Sequence, residues 1–208
     1  MKFVTISDTH GQHKNLSLPK GDAIIHAGDV SQSGRLNEVL DFMDWFKNLD
    51  FKHKIFIAGN HDFFFEKMPK SILDELIPKN VIYLCNNGVE IDNIKIWGSP
   101  MTPNFFNLAF NSNRGKSIAK YWELIPLNTD ILITHGPVFG KLDEKTTGEN
   151  VGCEDLWKRV RKVKPKIHIS GHIHEAYGEV ITDTTHYYNA SVLDEKYKLK
   201  NEPQTFDL

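Results

Sequence analysis

Three features of the 208-residue chain predict an α/β protein built on mixed sheets. Short apolar runs rich in β-branched residues stop repeatedly at polar loops, as buried strands do. Amphipathic stretches lie between the early runs, in the order expected of βαβ units. Later runs are separated by Asn-Gly and Asp-Asn pairs, turn signals that favour antiparallel hairpins.

Lys2 to Ser7 is the first strand and ends in Asp-Thr-His-Gly, and Asp22 to His26 repeats the pattern before Ala-Gly-Asp. From Arg35 to Leu49, the residues Leu36, Val39, Leu40, Phe42, Met43, Trp45, Phe46 and Leu49 recur at helical spacing opposite Glu38, Asp41 and Asp44. That periodicity predicts an amphipathic crossover helix. Lys54 to Ala58 is the next strand, followed by Gly59-Asn60-His61-Asp62, and Ser71 to Ile77 is a short helix stopped by Pro78. Val81 to Leu84, Val89 to Ile91 and Ile94 to Trp97 are short strands, with turns expected at Asn87-Gly88 and Asp92-Asn93. Residues 100–113 read as a surface loop leading into a helix from Gly115 to Leu124. Asp130 to Thr134 is a strand that ends at His135-Gly136-Pro137. The helix from Glu154 to Lys164 has acidic residues at its start and lysines at its end, which complement the helix dipole. Lys166 to Ser170 ends at Gly171-His172-Ile173-His174, and strands Gly178 to Ile181 and His186 to Ala190 close the set. One domain over residues 1–208 is expected, with a core of about residues 2–191 and a surface tail over about residues 197–208.

Composition narrows the function. With 40% hydrophobic and 25% charged residues the chain has enough apolar surface to fold, so disorder is excluded as its main state. Lys and Arg number 25 against 27 Asp and Glu, which lacks the basic excess of a dedicated nucleic-acid binder. Cys85 and Cys153 stand far apart and support neither a disulfide framework nor a thiolate metal cage, so a reducing compartment is expected. No stretch approaches the roughly 18 apolar residues of a membrane span, and the expectation is a soluble, cytoplasmic protein with no membrane partner. Ten histidines are the outlying count, in a residue type that ligates metals and moves protons near neutral pH.

Those histidines concentrate where strands stop. Five separate strands end in loops bearing Asp8 and His10; Asp29; Asn60 and His61; His135; and His172 and His174. Loops at one rim of an α/β sheet converge, so residues far apart in sequence become one cluster. Carboxylates, an amide oxygen and imidazoles in that number suffice for two divalent cations sharing one carboxylate.

Asp8-Thr-His10, Gly28-Asp29, Gly59-Asn60-His61-Asp62, His135-Gly-Pro137 and Gly171-His172-Ile-His174 resemble, in order and spacing, the five signature blocks of the calcineurin-like metallophosphoesterases. The likeness spans about Phe3 to Ser191. Ile57-Ala-Gly-Asn-His61, Thr134-His-Gly-Pro137, Val151-Gly-Cys153 and Asn189-Ala-Ser191 further resemble the metallophosphoesterase-domain-containing (MPPED) branch, which is similar to the class III cyclic nucleotide phosphodiesterases. The resemblance implies a four-layered α/β/β/α sandwich of mixed sheets with a dimetal site at the strand-end loops. It implies that Asp8, His10, Asp29 and His174 hold one metal and that Asp29, Asn60, His135 and His172 hold the other. Mn²⁺ or Fe is the first expectation, with Zn²⁺ also compatible. His61 would face the scissile phosphate as acid or charge stabiliser, and Asp62 would orient it. The implied reaction is attack on phosphorus by a hydroxide shared between the ions.

The second block departs from the protein phosphatases of the superfamily, which resemble GDxVDRG there. This chain reads Gly28-Asp29-Val30-Ser31-Gln32-Ser33-Gly34, without the second Asp or the phosphate-gripping Arg. That favours a small phosphodiester or nucleotide over a phosphoprotein. Alternatives are a phosphomonoesterase or nucleotide pyrophosphatase using the same metals, or a nucleotide-binding regulator with residual activity. Oligomeric state is not legible.

Other candidates have plainer readings. His26 and His168 lie inside apolar strands and read as hydrogen-bonded core residues. His13 follows the first block by three residues and could touch substrate, but reads first as a solvated loop residue, and His53 and His186 read as structural or surface residues. Asn104 to Asn107, with Phe105 and Phe106, could stack on a nucleobase or anchor a long loop. The basic residues between Lys158 and Lys166 read as a solvated helix face, and Cys153 as packing.

Overall fold

A computed structural model describes all 208 residues, Met1–Leu208. The first half contains β1 (Lys2–Ile6), β2 (Ala23–His26), α1 (Leu36–Lys47), β3 (His53–Phe56), α2 (Phe63–Lys67), α3 (Lys70–Leu76) and β4 (Ile82–Tyr83). Then come β5 (Asn87–Ile91), β6 (Ile94–Ser99), β7 (Thr102–Pro103), β8 (Asn111–Ser112), α4 (Lys116–Glu123) and β9 (Ile131–Thr134). The last elements are α5 (Glu154–Val163), β10 (Ile167–Ser170), β11 (Gly178–Ile181), β12 (His186–Asn189) and β13 (Gln204–Asp207).

Two sheets carry the fold. The first has the order β13-β1-β2-β3-β4, parallel throughout except for β13. The second has the order β11-β12-β10-β9-β6-β5, with parallel central strands and an antiparallel strand at each edge. Successive side chains of a strand point to opposite faces, so each sheet has an inner and an outer set. Phe3, Ile25 and Ile55 of the first sheet meet Ile96, Ile131, Ile133 and Ile169 of the second in one buried cluster. On the outer face of the first sheet, Val4, Ile24 and Phe56 pack with Val39, Phe42 and Phe46 of α1, and the Phe42 and Phe56 rings lie 5.7 Å apart. On the other side Leu132 and Tyr187 join Leu156 and Val160 of α5. The layers are therefore α/β/β/α, as expected. No helix is long and apolar enough to cross a membrane.

Four local expectations are corrected. Asn87 and Gly88 do not turn a hairpin but pair with Gly98 and Trp97 inside β5 and β6. The chain there crosses from one sheet to the other, since β4 pairs in parallel with β3, and the true hairpin bend is Asp92-Asn93, both with positive φ. Residues 204–207, expected within a surface tail, form an edge strand beside β1, with Phe206 stacked on Phe3 at 4.9 Å. A single buried aromatic in a polar tetrapeptide is too weak a period to announce a strand. Residues 100–113 are tied by the short β7 and β8 pair. His13 is fully buried rather than solvated, its ring 4.8 Å from Trp45 and 5.5 Å from Phe42.

Candidate metal centre

The parallel strands β1, β2 and β3 of one sheet and β9 and β10 of the other end at the same rim. Backbone bonds fasten their loops together. Asp8 donates its N–H to Gly28 O at 2.9 Å, His10 to Asp29 O at 3.1 Å, and Gly171 to His135 O at 2.9 Å. The result brings Asp8, His10 and His174 within ligand distance of one another, and likewise Asp8, Asp29 and His135.

Asp29 stands between two imidazoles. Its Oδ2 lies 3.5 Å from His10 Nε2 and 3.3 Å from His135 Nε2, while its Oδ1 accepts the His61 backbone N–H at 2.8 Å. Asp8 Oδ1 lies 3.5 Å from His174 Nε2, and both Asp8 oxygens accept the His172 N–H, at 3.1 and 3.0 Å. Asn60 Oδ1 is 2.8 Å from His135 Nε2, and the His172 and His135 rings are 5.1 Å apart. All seven residues expected to ligate metal thus lie at one rim.

Glycines make this crowding possible. A Cβ on Gly171 would sit 2.1 Å from Asp8 Oδ2, and one on Gly59 would sit 2.3 Å from Asp29 Oδ1. The Gly preceding a ligand in each of these blocks is therefore space for a carboxylate. Asp8, His10, Asp29 and His172 all adopt positive φ, a conformation that costs about 1–3 kcal/mol per non-glycine residue. Four of the seven candidate ligands share this conformation, which clusters at active sites and ligand clamps.

The electrostatics suit cations. Burial alone would raise the Asp8 and Asp29 carboxyls, but His174 beside Asp8 and His135 beside Asp29 hold both well below the usual carboxylate range. Burial likewise opposes charge on His135 and His174, yet Asp29 and Asp8 respectively push these imidazoles up to about 9. In both rings Nδ1 donates to a backbone carbonyl, Ala27 O for His135 and Asp194 O for His174, each at 3.0 Å. That leaves Nε2 aimed at carboxylate, the orientation outer partners give to metal-bound histidines. Both His10 ring nitrogens are buried without a hydrogen-bond partner, as are those of His13, but His10 stands beside Asp29 and His174, where a metal would satisfy it. The donor set fits two hard or borderline divalent ions.

His61 sits at the edge of this cluster, its ring 4.7 Å from His10 and within ligand reach of His10 and Asp29. Its Nδ1 is 2.9 Å from Gln32 O, so Nδ1 carries the hydrogen and Nε2 is left free. The expected contact with Asp62 is replaced by this one. Asp62 is buried and accepts instead from Val30 N–H at 3.1 Å, Ser31 N–H at 3.0 Å, Ser31 Oγ–H at 2.6 Å and Gly59 N–H at 2.8 Å. It braces the two loops that carry Asp29 and Asn60. Burial and the nearby Asp29 push its carboxyl up to about 6.

Two neighbours of the centre lie outside the expected ligand set, and only the second, which Asn104, Phe105 and Pro137 help to line, touches segments that the sequence singles out. Tyr197 packs its ring 4.9 Å from His10 and 5.0 Å from His174, and a phenol outside any metal-ligand pattern does not attract attention. A cleft of about 370 Å³ opens beside His172, lined by Phe105, Arg114, Pro137, Lys145 and Ile173 among others. Arg114 is fixed there by donating to the carbonyls of Gly152 at 2.8 Å and Val151 at 2.7 Å.

Comparison with known proteins agrees with this geometry. A family model described as calcineurin-like phosphoesterase matches residues 1–176. Metallophosphoesterase domain-containing protein 1 of Homo sapiens is 39% identical over all of this chain and 71% of its own length. UPF0046 protein K07C11.7 of Caenorhabditis elegans is 35% identical over 99% of this chain and 74% of its own length. Among solved structures, a phosphopantetheinyl hydrolase of Mycobacterium tuberculosis superposes with a TM-score of 0.67 over 94% of this chain and 90% of its own, at 16% identity. That last likeness concerns the fold alone.

Proposed function

Because this chain belongs to the calcineurin-like phosphoesterase family of metal-dependent phosphoester hydrolases, we propose that it hydrolyses small phosphodiesters, nucleotides among them, at a centre of two divalent ions. One observation carries the reading: Asp29 lies between His10 and His135, so a single carboxylate faces both groups of imidazoles. In this reading Asp8, His10, Asp29 and His174 hold one ion and Asp29, Asn60, His135 and His172 the other. Mn²⁺ or Fe suits the mixed oxygen and nitrogen donors, and Zn²⁺ is tolerated. When bound, such ions polarise the phosphoryl oxygens and lower the pKa of water toward neutrality.

The chain's own residues supply the rest. With Nδ1 engaged by Gln32 O, His61 keeps Nε2 free, and once protonated it can neutralise phosphoryl charge or protonate the leaving oxygen. The Asp62 brace holds the Asp29 and Asn60 loops against displacement as substrate binds. The cleft beside His172 has room for an organic substituent on the phosphate, which supports a diester or nucleotide over inorganic phosphate esters of little bulk. Two free cysteines are consistent with action in the cytoplasm.

The decisive experiment is a substrate panel with added Mn²⁺: cyclic nucleotides, dinucleotides, bis(p-nitrophenyl) phosphate and p-nitrophenyl phosphate. The expected order of kcat/KM places diesters above the monoester, with all activity abolished by EDTA and restored by metal. A monoester turned over faster than every diester would overturn the diester reading. Full activity in EDTA would overturn the metal centre.

A further inference from the structure

Beyond residue 176, where the family model's match ends, the chain returns to the metal centre in a turn over Asp194–Lys198. Asp194 organises this turn: its Oδ1 accepts the N–H groups of Lys196 and Lys198, each at 2.9 Å, and its carbonyl accepts the Tyr197 N–H at 2.9 Å. The turn holds Tyr197 at a φ of +58°, a left-handed conformation that a bulky residue adopts only when its surroundings impose it.

Three contacts fasten the turn to residues of the centre. Asp194 O accepts His174 Nδ1–H at 3.0 Å. Tyr197 O accepts from Gln12 Nε2 at 3.0 Å, on the loop that carries His10. The Tyr197 ring then packs on His10 and His174 together, at 4.9 and 5.0 Å, while 43% of the residue remains exposed. Neither His135 nor His172 has a corresponding ring contact with Tyr197.

We propose that the Asp194–Lys198 turn is a clasp specific to one half of the centre, in which Tyr197 is a positioning residue that holds His10 and His174 in place and limits the loss of the ion they share with Asp8. The inference rests on the two-ion reading of the previous subsection. The physical basis is the outer support that metal-ligating imidazoles require: the Asp194 carbonyl holds one edge of the His174 ring, and the Tyr197 ring packed on both imidazoles limits the tilt and rotation that remain. His10 depends on it most, because neither of its ring nitrogens has a hydrogen bond. The phenol oxygen takes no part, so phenylalanine should serve as well.

The test is Mn²⁺ binding and Mn²⁺ release to a chelator, measured by calorimetry and by stopped flow on the full chain, for the wild type, Tyr197→Ala, Tyr197→Phe and Gln12→Ala. Wild type should bind two ions. Tyr197→Ala should hold one of them unchanged and bind the other about 10-fold to 100-fold more weakly, the range typical of lost outer-shell support. Tyr197→Phe should match wild type. Gln12→Ala, which releases the turn without touching the ring, should weaken the same single ion to a smaller degree. It also keeps the test alive if Tyr197→Ala folds poorly. Two unaffected ions in both alanine variants would overturn the clasp. Equal weakening of both ions would show general loosening, and a Tyr197→Phe variant as weak as Tyr197→Ala would assign the effect to the hydroxyl, and either result refutes the proposal. Wild type that binds no Mn²⁺ would instead overturn the two-ion reading on which the inference stands.

Discussion

The carboxylate of Asp8 lies directly over Gly171, so close that a Cβ on that glycine would stand 2.1 Å from Oδ2 and 2.1 Å from Ser7 Oγ. The two residues are 163 positions apart and come from different sheets. Gly171→Ala therefore has to displace Asp8 or the His172 N–H bonded to it, since neither Ser7 nor Asp8, both fully buried, has solvent to move into. Metal analysis of the purified variant should find no more than one ion per chain. A variant with wild-type metal content and activity would show that the rim relaxes more easily than its packing implies.

Asp29 faces both imidazole groups, whereas His10 faces only one. Asp29→Ala should lose both ions and all measurable hydrolysis, while His10→Ala should retain one ion held by the His135 side. Metal content by mass spectrometry, with protein concentration measured independently, separates the two. Equal content in both variants would remove Asp29 from its shared position.

Asp62 offers a contrast between bracing and chemistry. Its two oxygens accept four hydrogen bonds from the Asp29 and Asn60 loops, and Asp62→Asn replaces one acceptor with a donor that meets backbone N–H groups. The stranded buried donors should lower stability by about 1–3 kcal/mol in urea unfolding. The ratio of rates between good and poor leaving groups should stay as in wild type. A changed ratio would restore to Asp62 the role of orienting His61.

Much of this site is legible in the sequence because strand ends and metal-ligand chemistry coincide. Asp8, His10, Asp29, Asn60, His135, His172 and His174 each follow a β-branched run, and an α/β fold has one rim at which the parallel strands end. What escaped was whatever depends on long-range packing with no local signature. Asp62 follows His61 in a block that suggests side-chain partnership, yet its hydrogen bonds reach back to residues 30 and 31. β13 announces itself only through Phe206, and Tyr197 is an ordinary turn aromatic until the turn is folded against His10. The Asn87-Gly88 pair misleads because its neighbours belong to different sheets, a fact that no window of sequence contains.

His168 gives a pH dependence independent of the metals. It is buried on the outer side of β10, with Nε2 2.8 Å from Thr134 Oγ1, and burial lowers its pKa to about 3. An unfolded histidine titrates near about 6.5, so as pH falls below that value the unfolded chain takes up a proton that the folded chain refuses. Stability should therefore fall with decreasing pH from about 6.5 toward about 3, by up to roughly 1.4 kcal/mol per pH unit from this residue. In metal-free protein, His168→Gln should lower stability at pH 7 but flatten the acid slope by about one proton. An unchanged slope in urea unfolding across that window would mean that His168 is protonated in the fold.

In the proposed function His61 faces the substrate, and its tautomer defines what it can do there. Gln32 O can only accept, so the ring keeps a hydrogen on Nδ1 and neutral His61 can offer no proton from Nε2. Acid catalysis then requires the imidazolium, whose charge would also stabilise the phosphoryl oxygens. The two contributions separate by leaving group. A ribose oxygen departs poorly without a proton, whereas p-nitrophenolate needs none, so His61→Ala should slow a nucleotide diester by about 10² to 10⁴ and the nitrophenyl diester by much less. Metal content should remain at the wild-type level. Equal slowing of both substrates with the ions retained would make His61 a charge stabiliser only. Loss of an ion would make it a ligand, which its place within reach of His10 and Asp29 permits, and the division of the rim into two half-sites would then have to include it.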